Sequence, residues 1–368
     1  MVAGILVLKN DMKRVLAIIL ALALVAPFAN AERKPKSHVI GFYNLENLFD
    51  TYHDDGKNDY QFLPDGQNQW TEAKYEKKLH NMATVIKAMA KDNGCWHTIL
   101  GVSEIENRHV LEDLVSQPEI VAANYQIVHF DGPDRRGVDC ALFYKPEYFT
   151  PIATESIPFT FEPSEIDFSA WTQEEKDNFR TRDVLMVRGT IDGEMFAFFV
   201  AHLPSRIGGK GADLRPRGAE IIYQRAAQLE KEFPGIRIVV MGDMNDNPTD
   251  VSMTKFMHGR ETIDEMADGD FFSPFLSMLK AGYGSLAYQG QWNIYDIILV
   301  NGQLAKAPDN GFKIAKINKK GFYGRVFKKD FMTQQTGPYK GTPFRTFSGG
   351  AFVGGYSDHY PTYIVVTK

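Results

Sequence analysis

Short apolar runs rich in β-branched and aromatic residues recur along the chain, and between them the apolar spacing lengthens to that of a helix. Residues 38–43, 98–102, 126–130, 138–144, 184–191, 195–201, 237–241, 294–300 and 363–366 are predicted strands, enough for one large sheet or two. Tyr75, Leu79, Met82, Ile86 and Met89 follow a candidate N-cap at Thr71 at helical spacing, and a second helix is predicted over 219–233. Both stripes read as core. No internal repeat, low-complexity tract or linker divides the chain, so interleaved strands and helices predict one α/β domain over 32–368.

The first 31 residues have a different pattern. Lys13 and Arg14 precede an apolar run over 15–26, and Ala29-Asn30-Ala31 offers small residues at a cleavage position, which predicts an export signal cut after Ala31. No later segment approaches the roughly 20 apolar residues of a membrane-spanning helix. The expected product is therefore periplasmic or secreted, without stable membrane insertion, and monomeric, with no protein partner implied.

Composition narrows the classes. With 368 residues, 44% hydrophobic and 24% charged, the chain can bury a large core, which excludes disordered, collagen-like and disulfide-scaffold proteins. Removing 1–31 deletes Lys9, Lys13 and Arg14 against Asp11, which takes the formal charge from −5 to −7. Such a balance argues against whole-surface binding to a polyanion and leaves room for a local basic patch. Cys95 and Cys140 are too few for a Cys-based zinc site. Export would permit a bridge between them, but each is read in or beside an apolar strand, where a buried thiol is the simpler expectation.

Two segments stand out by charge. Asp50, Asp54, Asp55, Asp59 and Asp65 lack EF-hand spacing and are read as a solvated loop. Residues at about 302–350 form a basic insertion interleaved with Phe322, Tyr323, Phe327, Phe331 and Tyr339, a composition suited to a phosphate-rich ligand or to a solvated insertion anchored by its rings.

Polar residues gather at strand ends. Asn44 and Glu46 follow HVIGFY, Glu104 follows TILGVS, His202 follows MFAFFVA, Asp243 and Asn245 follow RIVVMG, Asp296 lies within WNIYDIILV, and Asp358-His359 precedes YPTYIVV. One sandwich could bring this set to a single rim, and phosphoester hydrolysis is the chemistry that needs it. A hard divalent cation takes carboxylate oxygens, here Glu46, Glu104 and Asp358. Asp243 and Asn245 can activate and orient a water, while imidazoles and arginines can stabilise charge on phosphate.

GFYNLENLFD, VSEIENR, DRRGVDCALFY, AHLPSR, VMGDMNDNP, YDIILV and GGYSDHYP, in this order from about residue 38 to the C-terminus, resemble the endonuclease/exonuclease/phosphatase superfamily of DNase I-like phosphoesterases. RGVDCALFY and HLPSRIGG look most like its exported bacterial nuclease-like branch. The resemblance implies a four-layer α/β sandwich, two packed, mostly antiparallel sheets flanked by helices. It makes Glu104 the principal metal ligand, with Asn44, Glu46 and Asp358 around the same Mg²⁺, Mn²⁺ or Ca²⁺. Asp243 and Asn245 match the pair that activates and positions the nucleophile. His359 matches the histidine at the attacked phosphate, Asp296 the carboxylate that orients it, and His202 a second phosphate-facing histidine. Met244, Tyr295 and Ser103 depart from the family pattern.

Among Arg135, Arg136, Arg180, Arg182 and Arg206, which lie in loops beside these motifs, Arg136 and Arg206 are the expected phosphate-binding pair. Asp139, inside an apolar strand, is expected to pair with such an arginine. The expected activity is Mg²⁺-dependent hydrolysis of DNA or RNA. The alternatives are a phosphatase or phosphodiesterase on inositol phosphates or phospholipid headgroups, and a binding protein of the same fold that has lost catalysis.

Overall fold

The computed structural model describes residues 37–368 apart from 170, 178, 207–210, 309 and 318. The predicted export signal lies outside the described residues. Ser37–Lys368 form one compact unit.

Two seven-stranded sheets carry the architecture. The first contains β1 (Ser37–Leu48), β2 (Ile99–Ile105), β3 (Gln126–His129), β4 (Asp139–Tyr144), β14 (Lys313–Ala315), β15 (Gly324–Val326) and β18 (Thr362–Thr367), in the order β14-β18-β1-β2-β4-β3, with β15 also beside β18. The second runs β5-β6-β7-β8-β13-β10-β9, from β5 (Phe149–Ile157), β6 (Val184–Ile191), β7 (Glu194–His202) and β8 (Arg237–Asp243) to β13 (Asp296–Asn301), β10 (Phe271–Phe272) and β9 (Gly259–Arg260). Most pairs are antiparallel. Of the three parallel pairs, β1–β2 and β7–β8 are joined by helical crossovers, α1 (Glu72–Asn93) and α3 (Leu214–Glu232), while the two-residue strands β9 and β10 are joined by a loop. A short helix, α2 (Arg108–Val115), follows β2.

β1 explains why the sheets read as nearly continuous apolar runs. Ile40 and Phe42 point into the core between the sheets, while Val39, Tyr43 and Leu45 point into a second core beneath α1 and α2. Both faces are buried, so no polar alternation is tolerated. Gly101 of β2 meets the opposite sheet so closely that an added Cβ would sit 2.7 Å from Met241 Sδ. With Ile222, Ala226 and Leu229 of α3 packed into the apolar cluster of the second sheet, the layers run helices, sheet, sheet, helix.

Several expectations change. Strand β5 escapes a hydrophobic reading because it is an edge strand with alternating exposure, and edge position with a register shift accommodates Pro151. Helix α2 is short, and its N-cap Asn107 accepts from Val110 N at 3.1 Å. Residues 302–350 are not a detached insertion: β14 and β15 extend the first sheet beside β18. Their cations are partly matched, with Arg325 and Lys329 on Asp92 and Lys328 over the Trp292 and Tyr360 rings.

The 50–65 loop is not simply solvated. Asp50 and Asp59 are buried and accept from the backbone N–H groups of Tyr52 and Asp54 at 2.7 Å. Asp139 faces His129 at 3.5 Å and accepts from Gly132 N, so its partner is not an arginine. Cys140 is buried in β4, whereas Cys95 lies exposed after α1, and both are free thiols. Among the described residues no helix is long and apolar enough to cross a membrane.

Candidate active site

The strand ends meet at one rim, and backbone irregularities aim the side chains. β1 and β2 pair in register up to Asn44 and Ser103, then slip. The slip coincides with positive φ at Glu46 (48°), Asn47 (52°) and Glu104 (58°), and Asn245, just after β8, has φ 49°. Non-glycine residues enter this region at an energetic cost, and bulged strand ends use it to redirect side chains. In the second sheet the register sets His202 and Asp296 on either side of Asp243, from β7 and β13.

Hydrogen bonds lock these groups together across the sheets. Asn44 Nδ2 donates to Glu104 Oε1 at 3.1 Å and to Asp243 Oδ2 at 3.0 Å, while its Oδ1 accepts from Glu46 N at 2.8 Å. Asn47 N donates to Glu104 Oε2 at 2.9 Å. Asn245 N donates to Asp243 Oδ1 at 2.9 Å, and Asn245 Nδ2 to Leu203 O at 2.9 Å, which commits the amide nitrogens and leaves the side-chain oxygen available.

The two histidines differ in charge. His359 Nδ1 donates to Asp296 Oδ2 at 2.8 Å, and its Nε2 lies 3.8 Å from both Asp243 Oδ2 and Asp358 Oδ1. Burial opposes a charge on this ring, but Asp296, Asp243 and Asp358 outweigh it and hold the pKa well above the ordinary value. His202 has the opposite balance: burial, then Arg182, Arg136 and His359, push its pKa well down, so the ring is neutral. Burial also raises Asp243 to about 7, against the pull of His359.

Glu104, neutral His202 and Asp243 can each supply one ligand atom within 4.8 Å of the others. His202 Nε2 is 3.7 Å from Glu104 Oε1 and 3.7 Å from Asp243 Oδ2. Two carboxylates and a neutral imidazole fit a divalent cation. Of the expected ligands Asn44, Glu46, Glu104 and Asp358, Glu104 belongs to this set. Asn44 turns its NH₂ toward the Glu104 and Asp243 carboxylates, and its Oδ1 accepts from Glu46 N. Glu46 is buried under cations and donors: Thr346 N donates to Oε2 at 2.7 Å, Lys78 Nζ lies 3.8 Å from Oε2, and Arg345 Nε lies 3.4 Å from Oε1. Asp358 pairs with Arg345 at 2.8 Å.

A cavity of about 500 Å³ opens over Glu104, His202, Asp243, Asn245 and His359, with Arg135, Arg136 and Arg180 at its wall beside Trp171. Arg136 is half-exposed and reaches Asn47 Oδ1 at 3.5 Å. Arg206 lines the same cavity but is engaged by Asp246 and Asp250 and donates to Asn245 O at 2.7 Å, so it braces the loop after β8 rather than standing free for phosphate. Arg182 is buried on Asp134, His202 O and Leu203 O. Tyr295 packs under the Arg206 guanidinium, and its backbone oxygen accepts from Met244 N at 2.8 Å; Ser103 Oγ is buried without a partner.

Three site residues escaped the sequence reading: Lys78, Arg345 and Thr346. Lys78 has a signal, since it lies three residues after Tyr75 on the buried face of α1, where a lysine needs a reason. It donates to Thr346 Oγ1 and Tyr356 O, both at 2.6 Å. Arg345 and Thr346 carry no comparable mark.

The wider comparisons agree with this architecture. A Bacteroides thetaiotaomicron protein of the endonuclease/exonuclease/phosphatase family superposes with TM-score 0.52 at 16% identity, over 91% of this chain and 96% of its own. The mannosyl-6-phosphatase Bt3783 of the same organism has TM-score 0.52 at 16% identity, over 89% and 99%. D. rerio TDP2 in complex with a single-strand DNA product has TM-score 0.52 at 13% identity, over 90% and 100%. No curated protein sequence matches the chain. The family model for the endonuclease/exonuclease/phosphatase family matches residues 39–368, and the chain belongs to that family of phosphoester hydrolases.

Proposed function

We propose that the protein is an exported Mg²⁺-dependent phosphodiesterase acting on nucleic acid. The observation that carries the reading is the position of His359 Nε2, an imidazolium donor 3.8 Å from both Asp243 and Asp358 in an arginine-walled cavity. A phosphate oxygen bound there lies beside Asp243, a buried carboxylate that Asn245 flanks.

In this mechanism Asn245 Oδ1 orients a water and Asp243 takes its proton as the oxygen bonds phosphorus. His359, fixed by Asp296, donates to the phosphate oxygen that gains charge. Arg136 holds a second oxygen. Glu104, His202 and Asp243 would hold the cation, which would supply Lewis-acid stabilisation of the charge on phosphate. Asn44 keeps the Glu104 and Asp243 carboxylates together.

Aromatic groups beside the arginines, Trp171 and Tyr288, support a nucleic-acid substrate, since bases stack on rings while guanidinia follow phosphates. The fold relative bound to single-strand DNA is compatible with this reading; the mannosyl-6-phosphatase is compatible with a phosphomonoester. The test is hydrolysis by the protein from residue 32 onward of single-stranded DNA, plasmid, RNA, inositol phosphates and bis-p-nitrophenyl phosphate with Mg²⁺, Mn²⁺ or Ca²⁺. Polynucleotide cleavage abolished by EDTA is expected; turnover confined to monoesters would replace the nuclease reading. Cell fractionation tests export, with the processed chain expected outside the cytoplasm.

A further inference from the structure

A second cavity, of about 380 Å³, adjoins the first. Arg345 and Asp358 line both, and Arg345 Nη2 donates to Asp358 Oδ2 at 2.8 Å, so this ion pair is the partition between them. The two cavities have different chemistry. Arginines and carboxylates crowd the first, whereas the partition pair supplies the only charges among the described residues lining the second. Its other walls offer the oxygens of Gln334 and Thr342, whose own donors reach Thr336 O at 3.1 Å and Tyr339 O at 2.7 Å, the hydroxyl of Ser348, and the apolar faces of Tyr339, Phe344 and Val353. Tyr339 is 63% exposed.

The direction of reaction links the cavities. In-line displacement at phosphorus puts the attacking and leaving oxygens on opposite sides. His359 Nε2 lies 3.8 Å from both Asp243 Oδ2 and Asp358 Oδ1, and of these two carboxylates only Asp358 lines the second cavity, so attack aided by Asp243 leaves the Asp358 side for the departing oxygen. Beyond Asp358 is the second cavity.

We propose that the second cavity is the leaving-group subsite and accepts an uncharged, polyhydroxylated ring esterified to the attacked phosphate; the proposal rests on the phosphoesterase reading above. Hydroxyls and an amide match ring hydroxyls, the tyrosine matches a ring face, and the absence of further charge disfavours a second ionic group. Water's oxygen bonds phosphorus and gives one proton to Asp243. The ester oxygen departs with the P–O electron pair, takes a proton from solvent and leaves as an alcohol of the ring-bearing product. Ribonucleotides and free sugar phosphates both carry a hydroxylated ring.

The experiment compares kcat/KM with Mg²⁺ on a dinucleotide, a hexose 6-phosphate and bis-p-nitrophenyl phosphate, which has no hydroxylated ring. The wild type is set against Tyr339→Ala, which removes an exposed ring, and Ser348→Trp, which fills the cavity, with thermal midpoints checking the fold. Relative to bis-p-nitrophenyl phosphate, both variants should lose about 3- to 10-fold on ring-bearing esters, mainly through KM. A loss confined to the dinucleotide identifies nucleotides as the source, and one confined to the hexose ester identifies sugar phosphates. An unchanged ratio in both folded variants overturns the subsite. Failure of the wild type to turn over any ester overturns the phosphoesterase reading itself.

Discussion

Asp296 Oδ2 accepts the Nδ1 proton of His359 at 2.8 Å, and both side chains are buried. The pair joins β13 of one sheet to the loop that precedes β18 of the other, so it fixes the ring's tautomer and its direction together. Asp296→Asn should lower kcat by about 10²-fold or more, the range for loss of a positioned acid–base group. NMR titration of His359 should show its pKa fall in the same variant. An unchanged His359 pKa would contradict the pairing.

The pH profile follows from the two groups that face the phosphate position. Burial raises Asp243 to about 7 without a cation, and the cation that it helps to hold favours its charged form, so activity with Mg²⁺ should climb below neutrality as it ionises. His359 acts as an imidazolium with a raised pKa, so activity should fall only in a more alkaline range. Asp296→Asn should move the alkaline limb downward. The log of kcat/KM against pH for the two proteins checks this directly.

Lys78 and Glu46 are a buried ion pair behind the site, in which burial pushes the glutamate up and the lysine down. Removing one charge strands the other. Lys78→Met should destabilise the fold by about 3 kcal/mol, near the lower end for breaking a buried pair because Arg345 and Thr346 N still serve Glu46. The double variant with Glu46→Gln should recover part of that loss. Urea denaturation at constant pH measures both.

Glu106 is buried beside Asp50, Asp54 and Asp59, and burial followed by these charges raises it to about 9. The folded state therefore binds a proton that the unfolded chain releases near pH 4.5. Its contribution to stability is complete below that pH and declines as pH rises toward 9. Glu106→Gln should raise the thermal midpoint at pH 8 relative to wild type, with the difference shrinking at pH 5. Differential scanning fluorimetry at the two pH values checks the sign.

Legibility in the sequence followed the physics of burial. β1, β7 and β8 are buried on both faces, so their apolar runs and the polar residues that end them, Asn44, His202 and Asp243, were visible without coordinates. β5 hid because an exposed edge tolerates polar residues and Pro151. The orientation of Asn44, whose NH₂ bridges two carboxylates, depends on a bulge that pattern does not encode. Arg345 and Thr346 reach Glu46 from about three hundred residues away, and only the folded chain brings them together. Arg206 looked free because its partners, Asp246 and Asp250, sit in a different loop.

The most direct test of the central claim, that the rim carboxylates and imidazoles form one hydrolytic centre, is single-turnover cleavage of a single-stranded oligonucleotide by Asp243→Asn. With Mg²⁺ and an unchanged thermal midpoint, the rate should fall by about 10³-fold or more from wild type. A rate within a few fold of wild type would contradict the account.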